Sequence, residues 1–125
     1  MNFSSPILPQ FPPLNTDQPA VIELSKLRDC LIVRVPEPND IPPNWDAYPI
    51  FGADPDEPDW RGVEEPTGYW DDAIEDMVKR TGIELKIPKA DLERYQGRKV
   101  ELRYKFADES SLEPCSEPLL ILIEP

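Results

Sequence analysis

The chain contains no histidine, which excludes Ser-His-Asp and Cys-His nucleophilic catalysis and any zinc site built on cysteine and histidine. Ser-Lys chemistry stays open on residue types alone. Cysteine is scarce: Cys30 and Cys115 each stand without a second cysteine nearby, and in an intracellular chain such thiols are kept reduced. Glycine occurs only five times and forms neither a Gly-x-Gly-x-x-Gly fingerprint nor a phosphate-binding loop. No run reaches the ~18 apolar residues of a membrane-spanning helix. Residues 1–19 carry no lysine or arginine and no apolar stretch of secretory length, so the chain reads as cytoplasmic, with a non-Sec route or a place in a larger assembly as the remaining options. Basic residues are in deficit, 13 against 25 acids, and the resulting charge of −12 repels phosphate backbones and anionic lipid headgroups. Neither nucleic-acid binding nor membrane insertion is expected, and no cofactor is implied.

Proline, by contrast, is abundant, with 17 residues against the five glycines. Proline fixes φ and removes a backbone donor, so it favours extended segments and sheet edges over long helices. Residues 1–19 place five prolines around Ile7, Leu8, Phe11 and Leu14, the pattern of an extended arm with apolar anchors, lying on its own domain or docked on a partner. Short strands are expected over residues 20–24 and 30–35, the second with Leu31, Val33 and Val35 on one face and Ile32 and Arg34 on the other. Pro36, Pro38, Pro42 and Pro43 then set a turn. Residues 45–51 suit a third strand, which Pro49 weakens or assigns to an edge.

The clearest alternation is Ile83, Leu85, Ile87 and then Val100, Leu102, Tyr104, Phe106, with one helical turn at residues 89–95 closed by Gly97. After a polar loop over residues 107–118, the run Leu119 to Ile123 is apolar on both faces and suits a covered or paired strand, within the chain or between two chains. Residues 71–80 read as a short helix: Ile74, Met77 and Val78 share a helical face, Asp71 and Asp72 suit the positive N-terminal end, and Lys79 and Arg80 the other. The expected architecture is mainly β: a proline-rich arm over residues 1–19, and one sandwich domain over residues 20–125 with one or two short helices and an acidic insertion around residues 53–82.

The order Leu-Ile-Val-Arg-Val-Pro, the region of residues 45–51, Ile-Glu-Leu-Lys-Ile-Pro with Leu92 and Gly97, Val-Glu-Leu-Arg-Tyr-Lys-Phe and Ser-Glu-Pro-Leu-Leu-Ile-Leu-Ile resembles the bacterial immunoglobulin-like domains of large surface and repeat proteins. The resemblance covers most of residues 20–124. It implies a Greek-key β-sandwich acting as a spacer, adhesive or docking module, with no cofactor and no active site. Three departures stand out, the first being that residues 53–82 are longer, more acidic and more helix-like than the usual connection. Such domains usually occur in tandem, and no second copy is visible here; and the antibody-type disulfide has no counterpart, because residues 98–106 hold no cysteine.

Residues 54–76 hold ten acids against the single base Arg61, a local charge of −9 that leaves −3 for the other 102 residues. A solvated, solubilising loop accounts for such a run. A docking surface for a basic protein partner accounts for it too, with Asp54, Asp56, Asp59, Glu64, Glu65, Asp71, Asp72, Glu75 and Asp76 supplying charge and Trp60, Tyr69 and Trp70 supplying aromatic anchors. Calcium binding has hard oxygens at Asp54-x-Asp56 and Asp71-Asp72 but lacks the EF-hand spacing. Paired-carboxylate hydrolysis needs two carboxyls ~5–10 Å apart, one of them buried, and a hydrophilic loop does not provide that burial. The sequence therefore points to a non-catalytic binding or structural module, as a monomer or an edge-strand dimer, with an acidic inhibitor or immunity-type protein that mimics nucleic acid as the alternative.

Overall fold

The computed structural model describes residues 3–11, 19–36, 41–107 and 114–125. Part of the expected proline turn, at Pro38, and half of the polar loop over residues 107–118 lie outside the described residues, as do residues 1, 2 and 12–18 of the arm. Among the described residues the strands are β1 (Ala20–Glu23), β2 (Cys30–Arg34), β3 (Asp46–Phe51), β4 (Trp60–Arg61), β5 (Glu65–Pro66), β6 (Gly68–Asp71), β7 (Asp76–Lys79), β8 (Glu84–Pro88), β9 (Lys99–Ala107) and β10 (Leu119–Glu124). A 3-10 turn covers Leu24–Lys26, and α1 (Lys89–Glu93) follows β8 where the helical turn was expected. No helix among these residues is long and apolar enough to cross a membrane.

Alternation decides which side chains meet. Leu31 and Val33 of β2, Leu85 and Ile87 of β8, and Val100, Leu102, Tyr104 and Phe106 of β9 are all buried, as period-two patterning requires. β2 and β8 pair antiparallel in one sheet. The larger sheet runs β1-β10-β9-β3-β4, with β5 also on β3; β1 lies parallel to β10 and the other pairs are antiparallel. Buried residues of both sheets form one core, which also takes in Phe3 and Leu8 of the arm. The fold is thus mainly β, with the β2–β8 sheet and the larger sheet joined by a common core as in a sandwich. Each buried leucine or isoleucine contributes roughly 1.5–3 kcal/mol by leaving water. The expected covered strand at residues 119–123 is β10, enclosed within this chain by β1 on one side and β9 on the other.

Two expectations are corrected. Pro49 does not mark an edge: β3 lies between β9 and the β4–β5 pair. A strand residue's N–H and C=O point to the same side. Gly62 N–H donates to the Pro49 carbonyl at 2.9 Å, so the position of the missing donor faces the break between β4 and β5. Toward β9, Pro49 stands opposite Tyr104, whose own N–H and C=O point away to Ser116, so no ladder bond is lost there. A Cβ on Gly62 would come within 2.6 Å of the Pro49 ring, which is why the crossing chain has glycine there.

Residues 71–80 form no helix. β6 and β7 make an antiparallel hairpin with Tyr69 opposite Val78, Trp70 opposite Met77 and Asp71 opposite Asp76. Short acidic side chains compete with helical hydrogen bonding. The Asp71 carboxylate accepts the Ala73 N–H at 2.9 Å, and Glu75 takes a left-handed φ of 52° that closes the turn. The residues that suggested a helical face part company: Met77 and Val78 lie on β7, and Ile74 is 61% exposed in the turn.

Candidate partner-docking surface

The acid-rich segment falls into two parts with different attachments. After Phe51 the chain reverses and lies over the outer face of the large sheet, where Tyr48 and Ile50 are buried even though they alternate with the core residues Ala47 and Phe51. Cations of the sheet fasten it through main-chain carbonyls. Lys105, itself buried, donates from Nζ to the Pro55 carbonyl at 2.8 Å, and Arg103 donates from Nη1 to the Gly52 carbonyl at 2.8 Å. Asp56 Oδ1 lies 3.9 Å from Lys105 Nζ, yet its side chain remains 90% exposed. The Arg61 guanidinium lies 3.9 Å from the centre of the Tyr48 ring and pairs with Glu64. Because carbonyls do the holding, the carboxylates of Asp54, Asp56, Glu57 and Asp59 are left on the solvent side.

Trp60 belongs to this fastening rather than to a free surface. Its ring sits 4.8 Å from that of Phe51, which also meets Tyr95 edge-on at 5.3 Å, and the Tyr95 hydroxyl donates to the Asp59 carbonyl at 3.4 Å. Glu65 is half-buried on β5, opposite Ala47.

The second part is the β6–β7 hairpin, rooted at a polar neck. Thr67 is fully buried; its Oγ1 accepts the Trp45 N–H at 3.0 Å and lies 2.7 and 2.8 Å from the carbonyls of Pro42 and Trp45, one of which takes its proton. Across the neck Arg80 N–H donates to the Thr67 carbonyl at 2.9 Å, and Arg80 Nη1 to that of Pro66 at 2.9 Å. Gly68 passes so close to Pro43 that a Cβ would meet its carbonyl oxygen at 2.1 Å. Beyond the neck, β6 and β7 pair with each other and with no other strand among the described residues.

This hairpin breaks rules that a fold-serving element keeps. Tyr69 is 51% and Trp70 57% exposed. Asp71 and Asp76 face each other across the ladder, a like-charge arrangement that destabilises a pair, with Asp72 and Glu75 between them. The Trp70 Nε1–H donates to Asp72 at 2.9 Å, which orients the indole while more than half of the residue stays exposed. An exposed apolar tip carrying four carboxylates does little for the core; it suits a partner surface that is apolar at the centre and basic around it.

The structure therefore places Tyr69, Trp70, Asp71, Asp72, Glu75 and Asp76 together on the hairpin, and Asp54, Asp56, Asp59, Trp60 and Glu64 on or beside the fastened loop. Sequence reasoning missed Ile74, assigned to the shared face of a short helix, and the buried Lys105, whose strand position alternates with the apolar face. Among the described residues no group of three or more carboxylates or thiols is gathered to hold a metal ion. Tyr104, with burial pushing its phenol up to about 12, faces the core and donates to the Ser4 carbonyl at 2.6 Å, which makes it a structural group. No family model, curated protein or solved structure matches the chain.

Proposed function

We propose that this chain is a non-catalytic binding module of immunoglobulin-like type that engages a basic protein surface through the β6–β7 hairpin. The observation that carries the reading is the tip itself, where Tyr69, Trp70 and Ile74 stay in water beside four carboxylates. Aromatic anchors inside a charged rim are the usual source of binding energy and of salt-sensitive association rates. The Greek-key reading is supported by strand neighbours: β2 beside β8 in one sheet, and β3, β9 and β10 adjacent in the other, match the second and fifth strands and the third, sixth and seventh strands of such domains.

The test is affinity capture from host lysate at low and moderate salt, comparing wild type with a variant in which Asp71, Asp72, Glu75 and Asp76 become amides. The expected result is a specific protein captured by wild type, weakened by salt and lost in the variant. Capture that ignores both salt and the four substitutions contradicts the proposal.

A second reading, an inhibitor or immunity-type protein that mimics a nucleic acid, draws on the fastened loop, whose outward carboxylates sit on a segment held by Lys105 and Arg103. It needs a phosphate-like charge spacing on a rigid surface. Here neutralising Asp54, Asp56 and Asp59 abolishes binding while Trp70→Ala leaves it intact, and DNA or RNA competes. The hairpin reading requires the opposite on all three counts.

A further inference from the structure

The segment of residues 3–11 is bound to the rest of the chain in the way a separate peptide would be. Phe3 forms a parallel bridge with Ser116, the Glu117 N–H donates to the Phe3 carbonyl at 2.9 Å, and the Phe3 ring lies 5.1 Å from that of Phe106. Four residues later the segment has crossed to the other sheet, where Ile7 and Arg34 exchange both backbone hydrogen bonds, at 3.0 and 2.8 Å. Leu8 is buried in the common core, and the Gln10 side-chain oxygen accepts the Ile32 N–H at 2.8 Å. The segment touches each sheet through one isolated bridge, so main-chain bonds at two points and the buried Phe3 and Leu8 side chains hold it, the means by which an extended peptide docks on a sheet edge. Pro6 and Pro9 hold the free segment extended, which lowers the cost of ordering it.

We propose that this cleft is an exchangeable peptide site whose second occupant is residues 3–11 of another copy of the chain. The other copy carries the same Phe3 and Leu8 anchors, the same prolines and the same Ser4 carbonyl for the buried Tyr104 hydroxyl, so every contact is reproduced in trans. The covalent tether favours the segment's own body, by an effective concentration on the order of 1 mM for a short linker. Reciprocal exchange closes a dimer without any new surface.

The test mixes two full-length populations in a Cys30→Ser, Cys115→Ser background. One carries a donor dye at its N-terminus. The other carries an acceptor at Lys86→Cys, an exposed β8 position opposite Ile32. Energy transfer is expected to grow after mixing at about 1 mM, where exchange competes with the tether. It should be abolished when the donor population carries Leu8→Asp. A second measurement needs no variant segment to fold: a fluorescent peptide of residues 1–11 is expected to bind Phe3→Ala, Leu8→Ala protein at least about tenfold more tightly than wild type, because the weakened tethered segment competes less. No transfer after warming through the melting transition and cooling, transfer indifferent to Leu8→Asp, or equal peptide binding by both proteins would each overturn the proposal.

Discussion

The β8–β9 region and the β6–β7 hairpin are both β-structure, and they obey opposite rules. In the first, every apolar residue of the alternating face is buried, as the period of the strand asks. In the second, apolar residues stand in water, like charges face each other, and the turn uses a non-glycine residue at positive φ. Local inconsistency persists where a gain outside the fold offsets it, and the contact proposed for the hairpin would be such a gain.

The comparison breaks most sharply at Phe106. Its ring meets Phe3, Trp45 and Tyr104 at 5.1–5.5 Å, so Phe106→Ala is expected to lose about 3–5 kcal/mol in denaturant unfolding. A loss near zero would mean that the two sheets do not share one core.

Next in size is an alkaline effect at Tyr104. Its folded pKa of about 12 exceeds the ordinary 10, so the folded state holds the phenolic proton more tightly than the unfolded state does. The stabilisation is complete below pH 10, falls as the unfolded phenol ionises, and is gone once pH passes 12. The drop amounts to about 2–3 kcal/mol. Wild type should therefore lose stability over that range relative to Tyr104→Phe, and parallel curves would contradict the assignment.

Thr67→Val tests the hairpin's root. It keeps the shape but leaves the Trp45 N–H without its side-chain acceptor, at an expected cost of about 1–3 kcal/mol. Hydrogen exchange should quicken at Trp45 and along the hairpin before it does in β8 or β9. The smallest effect belongs to Trp70→Ala, expected to change stability by no more than about 0.5 kcal/mol while abolishing partner binding. A loss comparable to that of Phe106→Ala would make the hairpin part of the core.

The same contrast explains what the sequence disclosed. The buried faces of β2, β8 and β9 were legible because a half-buried strand writes its orientation into alternate residues. The hairpin was not, since Ile74, Met77 and Val78 happen to fit a helical spacing, whereas the turn is made by the Asp71 carboxylate and the Glu75 backbone, which leave no periodic trace. Pro49 misled because the edge rule presumes a continuous neighbour, and here the neighbour is interrupted between β4 and β5. Residues 54–76 were legible as a charged surface but not as two surfaces. The fastening of the first part by Lys105 and Arg103 runs through carbonyls that any residue could supply.

The most direct test of the central claim is photo-crosslinking from the position of Trp70 with a benzoylphenylalanine, set against the same probe at Lys86 on the opposite sheet. A discrete, salt-sensitive adduct from position 70 alone is the result the account expects. Adducts equal at both positions, or formed only from position 86, would contradict it.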